Sequence, residues 1–246
     1  MRKRELARIG LLDEARHVRL EWARRIDWGL PTRKQVEAGL TDQDWAVRAA
    51  WVERPDWGPP TAQQIERGLA DSSGHVRAAW AQRTDWGPPT PEQASAGLSD
   101  GNEEVRAAWV RRADYTPTAE QVEHGLADPD EWVRLAWAKR QDYTPTAQQV
   151  ERGLSDPIPE IRRAWSVRAD FVPSPEQAER ELVDIYRRVR AAWAARTDYT
   201  PSPEQIERGL ADPAEEVRAA WLDRLKLMTQ EAQDYLLDLD QPGAGV

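Results

Sequence analysis

The chain has 246 residues, no cysteine, three histidines and a formal net charge of −9. Without cysteine there are no disulfides, thiolate metal sites, iron–sulfur clusters or cysteine nucleophiles. The acidic balance argues against nucleic acid as the default partner, because phosphate binding needs clustered lysine and arginine.

The N-terminal stretch "MRKRELARIG" is basic and does not read as an ordinary first helix. We expect residues 1–12 to form a water-facing end cap. No run of about 18 apolar residues occurs, so no membrane segment is expected, and the chain reads as soluble and cytoplasmic.

From Asp13 to Arg224 the sequence repeats. "VRAAW" occurs at Val47–Trp51, Val76–Trp80, Val105–Trp109, Val189–Trp193 and Val217–Trp221. With three near-copies it places tryptophans at 22, 51, 80, 109, 137, 165, 193 and 221, spaced by 29 and then 28 residues. A fixed period of that size signals a solenoid built by stacking neighbours.

The unit beginning at Asp114 shows how one repeat is made. Thr118 with Gln121 is a capping box, so a short helix starts there. Gly125 reads as its C-terminal stop. Asp128 reads as the next N-cap and Pro129 as the first turn of a longer helix, to about Gln141. On that helix Val133, Ala136, Trp137 and Arg140 share one face. Early turns read "DWGLPT" and "DWGPPT", later ones "DYTPT", "DFVPS" or "DYTPS". The extra glycine accounts for the change of period.

Repeat six is the one internal break. Glu181 replaces the glycine, and "VDIYRRVR" (Val183–Arg190) places Tyr186 beside Arg187 and Arg188, a candidate anion contact. After Arg224 the pattern stops. Thr229 is expected to start a capping helix, completing an end piece over 225–240, with 241–246 as a frayed tail. Residues 1–34 carry a net +5 and the remainder −14. That asymmetry reads as capping chemistry, with weak head-to-tail self-association as the sharper reading.

The tryptophans read as core and, less directly, as a ladder gripping a ligand. Two arginine series, one starting at Arg19 and one at Arg25, match recurrent aspartates. They read as inter-repeat ion pairs and caps rather than a phosphate track. No catalytic constellation or cofactor motif appears, so no enzyme activity, metal or cofactor is expected.

The units "DPDEWVRLAWAKRQDYTPTAQQVERGL" and "DPAEEVRAAWLDRL" resemble the variant leucine-rich repeat and, more loosely, HEAT-type α-solenoid repeats. The sequence departs in carrying tryptophan where such repeats have a small aliphatic residue, and in a slightly longer period. The resemblance implies an all-α, right-handed superhelix with a binding role and no reaction. The whole chain is expected to form one solenoid domain of about eight two-helix repeats.

Positions that vary between repeats fall on one stripe of the longer helix. We expect a non-catalytic scaffold that binds a protein or extended peptide along that concave stripe. Candidate contacts are Arg24, Glu53, His75, Gln82, Arg111, Trp132, Lys139 and Arg163, with Tyr186 and Arg188 at the repeat-six break. The bland alternative is an unconstrained exposed face. The functional alternative is a nucleic-acid-binding HEAT-like solenoid, carried by Arg111, Lys139, Arg163 and Trp132.

Overall fold

The computed structural model describes the backbone of residues 3–239 and the side chains of residues 3–229. Among the described residues there are sixteen helices and no strand. Each repeat contributes two. They are α1 (Lys3–Gly10) with α2 (Arg16–Arg24), α3 (Arg33–Leu40) with α4 (Trp45–Glu53), α5 (Ala62–Leu69) with α6 (Gly74–Gln82), and α7 (Pro91–Leu98) with α8 (Glu103–Val110). They continue as α9 (Ala119–Leu126) with α10 (Glu131–Lys139), α11 (Ala147–Leu154) with α12 (Pro159–Ser166), α13 (Pro175–Glu181) with α14 (Arg187–Ala194), and α15 (Pro203–Leu210) with α16 (Glu215–Leu239). The chain is an all-α repeat solenoid. Its contacts divide into two compact units, Met1–Asp142 with α1 to α10 and Tyr143–Val246 with α11 to α16. Within each unit the second helices of successive repeats stack on one another, and each first helix packs on its own second helix.

Local signals set the first helices as expected. Seven capping boxes form, from Thr32–Gln35 to Ser202–Gln205. Gly29, Gly58 and Gly87 take positive φ in the longer early turns, so glycine does absorb the extra residue there.

Several expectations need correction. Apart from α16, the second helices are hardly longer than the first: α10 spans Glu131–Lys139, not 129–141. Its N-cap is Asp130, which accepts from the Trp132 and Val133 amides at 2.9 and 3.1 Å. Asp128 instead accepts from the Asp130 amide at 2.9 Å, a local turn that sets up the cap. Within the expected N-terminal cap, α1 occupies the ordinary first-helix position and Gly10 abuts Trp22 as later glycines abut theirs, so Lys3–Gly10 is built as a first helix. At the other end α16 runs unbroken from Glu215, and the Thr229 hydroxyl donates to the Leu225 carbonyl from inside it. A hydroxyl used that way starts no new helix. The expected tail, 241–246, and the last residue of the expected end piece, 240, lie outside the described residues.

The most informative correction concerns glycine. Gly125 does not stop α9; it lies inside it. A Cβ there would overlap the Trp137 indole, and the same holds for Gly39, Gly68, Gly97, Gly153 and Gly209 against the tryptophan twelve residues later. The glycine is a socket that lets the first helix lie directly on the indole ring. Seven of the eight ladder tryptophans, Trp51 to Trp221, are no more than 2 % exposed. The ladder is therefore core.

Two arginine ladders tie neighbouring repeats together. Arg48 holds Asp71 of the next repeat through Nε and Nη2, both at 2.7 Å, and Arg19–Asp42, Arg77–Asp100, Arg106–Asp128, Arg162–Asp184 and Arg190–Asp212 repeat that geometry. The hydrogen bond from Arg190 holds the Asp212 carboxyl below the ordinary carboxylate range. The second ladder points backwards. Arg112 forks onto Asp114, donates to the carbonyls of Ala81, Arg83 and Gly87 in the preceding repeat, and lies 4.1 Å over the Trp86 ring. Fork and stack both require guanidinium.

The repeat of α13 and α14, where the sequence pattern breaks, also breaks the socket. Glu181 is 2 % exposed, and its Oε1 accepts from Arg180 Nε at 3.0 Å. Its Oε2 and the Trp193 indole nitrogen are both buried without a hydrogen-bond partner. Burial pushes the Glu181 carboxyl above the ordinary glutamate range.

Candidate peptide groove

Within the first unit, α4, α6, α8 and α10 present one edge of N-terminal residues and one edge of C-terminal residues. Between them lies a floor that includes Ala49, Ala78 and Ala107. The floor is alanine because the facing side of each second helix carries the buried valine and tryptophan of the core. The result is a groove of about 690 Å³. An adjoining depression of about 670 Å³ shares Arg111 and Trp132 and extends to Leu135 and Lys139.

Six of the expected contacts line the main groove: Arg24, Glu53, His75, Gln82, Arg111 and Trp132. Lys139 lines the adjoining depression. Arg163, Tyr186 and Arg188 belong to the second unit and do not line either depression. Tyr186 occupies the N-cap position of α14 without a side-chain cap bond, and the Arg162 guanidinium lies 5.4 Å from its ring centroid. Arg187 is engaged by Glu216 at 2.9 Å, while Arg188 is exposed.

The N-terminal edge of the groove carries aromatic and acidic groups. Trp45 stacks on His75 with centroids 4.6 Å apart, and His75 Nδ1 meets Glu104 Oε2 at 2.6 Å. Beyond them stand Glu103, Asp130 and Trp132. Carboxylates suit this edge because helix N-termini favour negative charge. Trp45 and Trp132 are 44 % and 60 % exposed, whereas the ladder tryptophans are sealed. Sequence reasoning found Trp132 but missed Trp45. The available signal was that Trp45 belongs to neither aromatic series and stands where later repeats have Gly74, Glu103 or Glu131.

The described residues contain no group of three or more metal-ligating side chains and no helix long and apolar enough to cross a membrane.

The fold is that of a tandem-repeat α-solenoid. No family model matches the sequence, and no curated protein matches it. Among solved structures, the chain is similar to one described as a leucine-rich repeat variant with a novel repetitive protein structural motif. The TM-score is 0.57 at 24 % identity, over 90 % of this chain and 81 % of that one. The likeness expected from the repeat units is thus present at the level of fold.

Proposed function

We propose that this protein is a non-catalytic scaffold whose first unit holds an extended protein segment in the groove between Trp45 and Trp132. The observation that carries this reading is the pair of exposed tryptophans flanking an alanine floor. Large aromatics left in water at the rim of a concave surface mark interaction sites, and tryptophan is prominent among residues that dominate binding energy. The small floor residues let a backbone approach closely. Arg24, Glu53, Gln82 and Arg111 on the opposite edge offer hydrogen bonds of either polarity to an extended chain.

The groove's acidic groups and the net charge of −9 disfavour nucleic acid. Selection from a random displayed peptide library, with counter-selection on the Trp45→Ala/Trp132→Ala double variant, tests the proposal. Enrichment of peptides that bind the wild type and not the variant is expected. Failure to enrich any such peptide, or a steep loss of oligonucleotide binding with salt, would overturn it.

A further inference from the structure

The first interval between repeats lacks a strap that three later intervals carry on the face opposite to the stacked second helices. In those a glutamate on one first helix pairs with an arginine on the next: Glu37–Arg67 at 2.6 Å, Glu151–Arg180 at 2.6 Å and Glu179–Arg208 at 2.8 Å. Around α7, Ala96 and Ser95 stand in the arginine and glutamate positions, so the strap is missing there too. One period earlier, the residues in the Glu37 and Arg67 positions are Arg8 and Ala38. Arg8 turns back to Glu5 at 2.9 Å, so no strap joins α1 to α3.

A cavity of about 440 Å³ opens where the strap is missing. Trp28, Trp51, Leu12 and Leu30 wall it. Both leucines are 70 % exposed. Leu12 stands where later repeats have Thr41, Ala70 and Ser99, and Leu30 stands where they have Pro59 and Pro88. At the rim are Arg4 and Lys34, both exposed. Neither has a carboxylate partner among the described residues. Lys34 stands where later repeats have Gln63, Glu92 and Glu120. Glu5 and Asp42 also line the cavity but are paired with Arg8 and Arg19, so Leu12, Leu30, Arg4 and Lys34 add apolar surface and unpaired positive charge around a single opening.

We propose that this cavity binds a small anionic amphiphile, a carboxylate carried on a medium-length alkyl chain. The volume lies in the range of small-molecule sites, about 300–1,000 Å³. The alkyl chain would cover Leu12 and Leu30, which otherwise face water. The carboxylate would meet Arg4 and Lys34 at the rim, where one negative charge faces two positive ones. The site lies on the α1 and α3 side, and none of its lining residues lines the peptide groove.

Calorimetric titration of the full chain with hexanoate, octanoate and decanoate, all as monomers, tests the proposal. One site is expected, with affinity rising roughly fourfold per methylene, the ratio that corresponds to burying each CH₂. Decyltrimethylammonium is expected to bind at least tenfold more weakly than decanoate. Arg4→Glu/Lys34→Glu is expected to weaken decanoate at least tenfold with the thermal midpoint unchanged. Leu30→Arg, at a position already exposed, is expected to remove the chain-length dependence. No saturable binding, equal binding of the cationic and anionic amphiphiles, or full affinity in the double variant would overturn the assignment.

Discussion

Replacing Gly97 by alanine should destabilise the protein, although the usual effect of that change inside a helix is the opposite. Gly97 lies within α7, where alanine would ordinarily be favoured by about 1 kcal/mol. A methyl group there would come closer than 3.0 Å to Nε1, Cε2 and Cδ1 of Trp109, distances that real side chains do not show. The ring cannot swing aside. Trp109 is 1 % exposed, Trp86 meets it edge-on at 6.4 Å, and the Arg112 guanidinium lies 5.6 Å from its centroid. Relief requires α7 to move off α8, and overpacking of this kind costs roughly 3 kcal/mol, the upper end of the common range. Subtracting the helix gain leaves a net loss of about 2 kcal/mol, or a fall of about 4–8 °C in Tm for a chain of this size. Far-UV circular dichroism melts would measure it. Gly101→Ala is the control, because that glycine is exposed with no heavy atom within 4 Å, and its midpoint should barely change. A stabilised Gly97→Ala variant would refute the socket and return the glycine to the role of a helix stop.

Two further outcomes follow from the buried polar groups. Burial raises the Glu181 carboxyl, so its folded form favours the proton. That contribution to stability is complete below the ordinary glutamate range and is lost as pH rises through the raised value. The stability of Glu181→Gln relative to wild type should therefore grow between pH 4 and pH 7 in urea titrations, and a pH-independent difference would contradict the burial. Arg112→Lys keeps the charge but loses the fork onto Asp114, the stack on Trp86 and contacts to three carbonyls. It should cost about 2–4 kcal/mol by chemical denaturation, since bonds to charged groups are worth about 1.5–3 kcal/mol each; a loss below 1 kcal/mol would mean that charge alone matters there.

Much of the fold was legible because the repeat compares the chain with itself. Thr118 and Gln121 recur as a pair and form the capping boxes, and the tryptophan period marks the core. The pairing of the two arginine series with aspartates was legible as a category, but not its direction: Arg48 reaches forward to Asp71, whereas Arg54 forks onto Asp56 and reaches back to Ala23 and Arg25. Gly125 was misread because a glycine near a helix end is expected both at a stop and at a close approach. One signal separated the two. The glycine-to-tryptophan distance stays at twelve residues while the period changes from 29 to 28, so glycine and ring move as one element. Asp128 reads as the cap in the sequence because it is the invariant acid, whereas the cap itself falls on the variable residue two positions on, Asp44, Asn102 or Asp130. The groove was legible only in part. Variation among repeats picked out His75, Arg111 and Trp132, but Trp45 emerged only when its ring was seen stacked on His75.

The central claim is that an extended protein segment lies in the groove of the first unit. A photo-crosslinking amino acid placed at Gln82, exposed on the groove edge, and separately at Glu66, exposed on first helix α5, tests it most directly with a library-selected peptide. The account predicts a covalent adduct from position 82 that unlabelled peptide suppresses, and none from position 66. An adduct from position 66, or from neither, would contradict it.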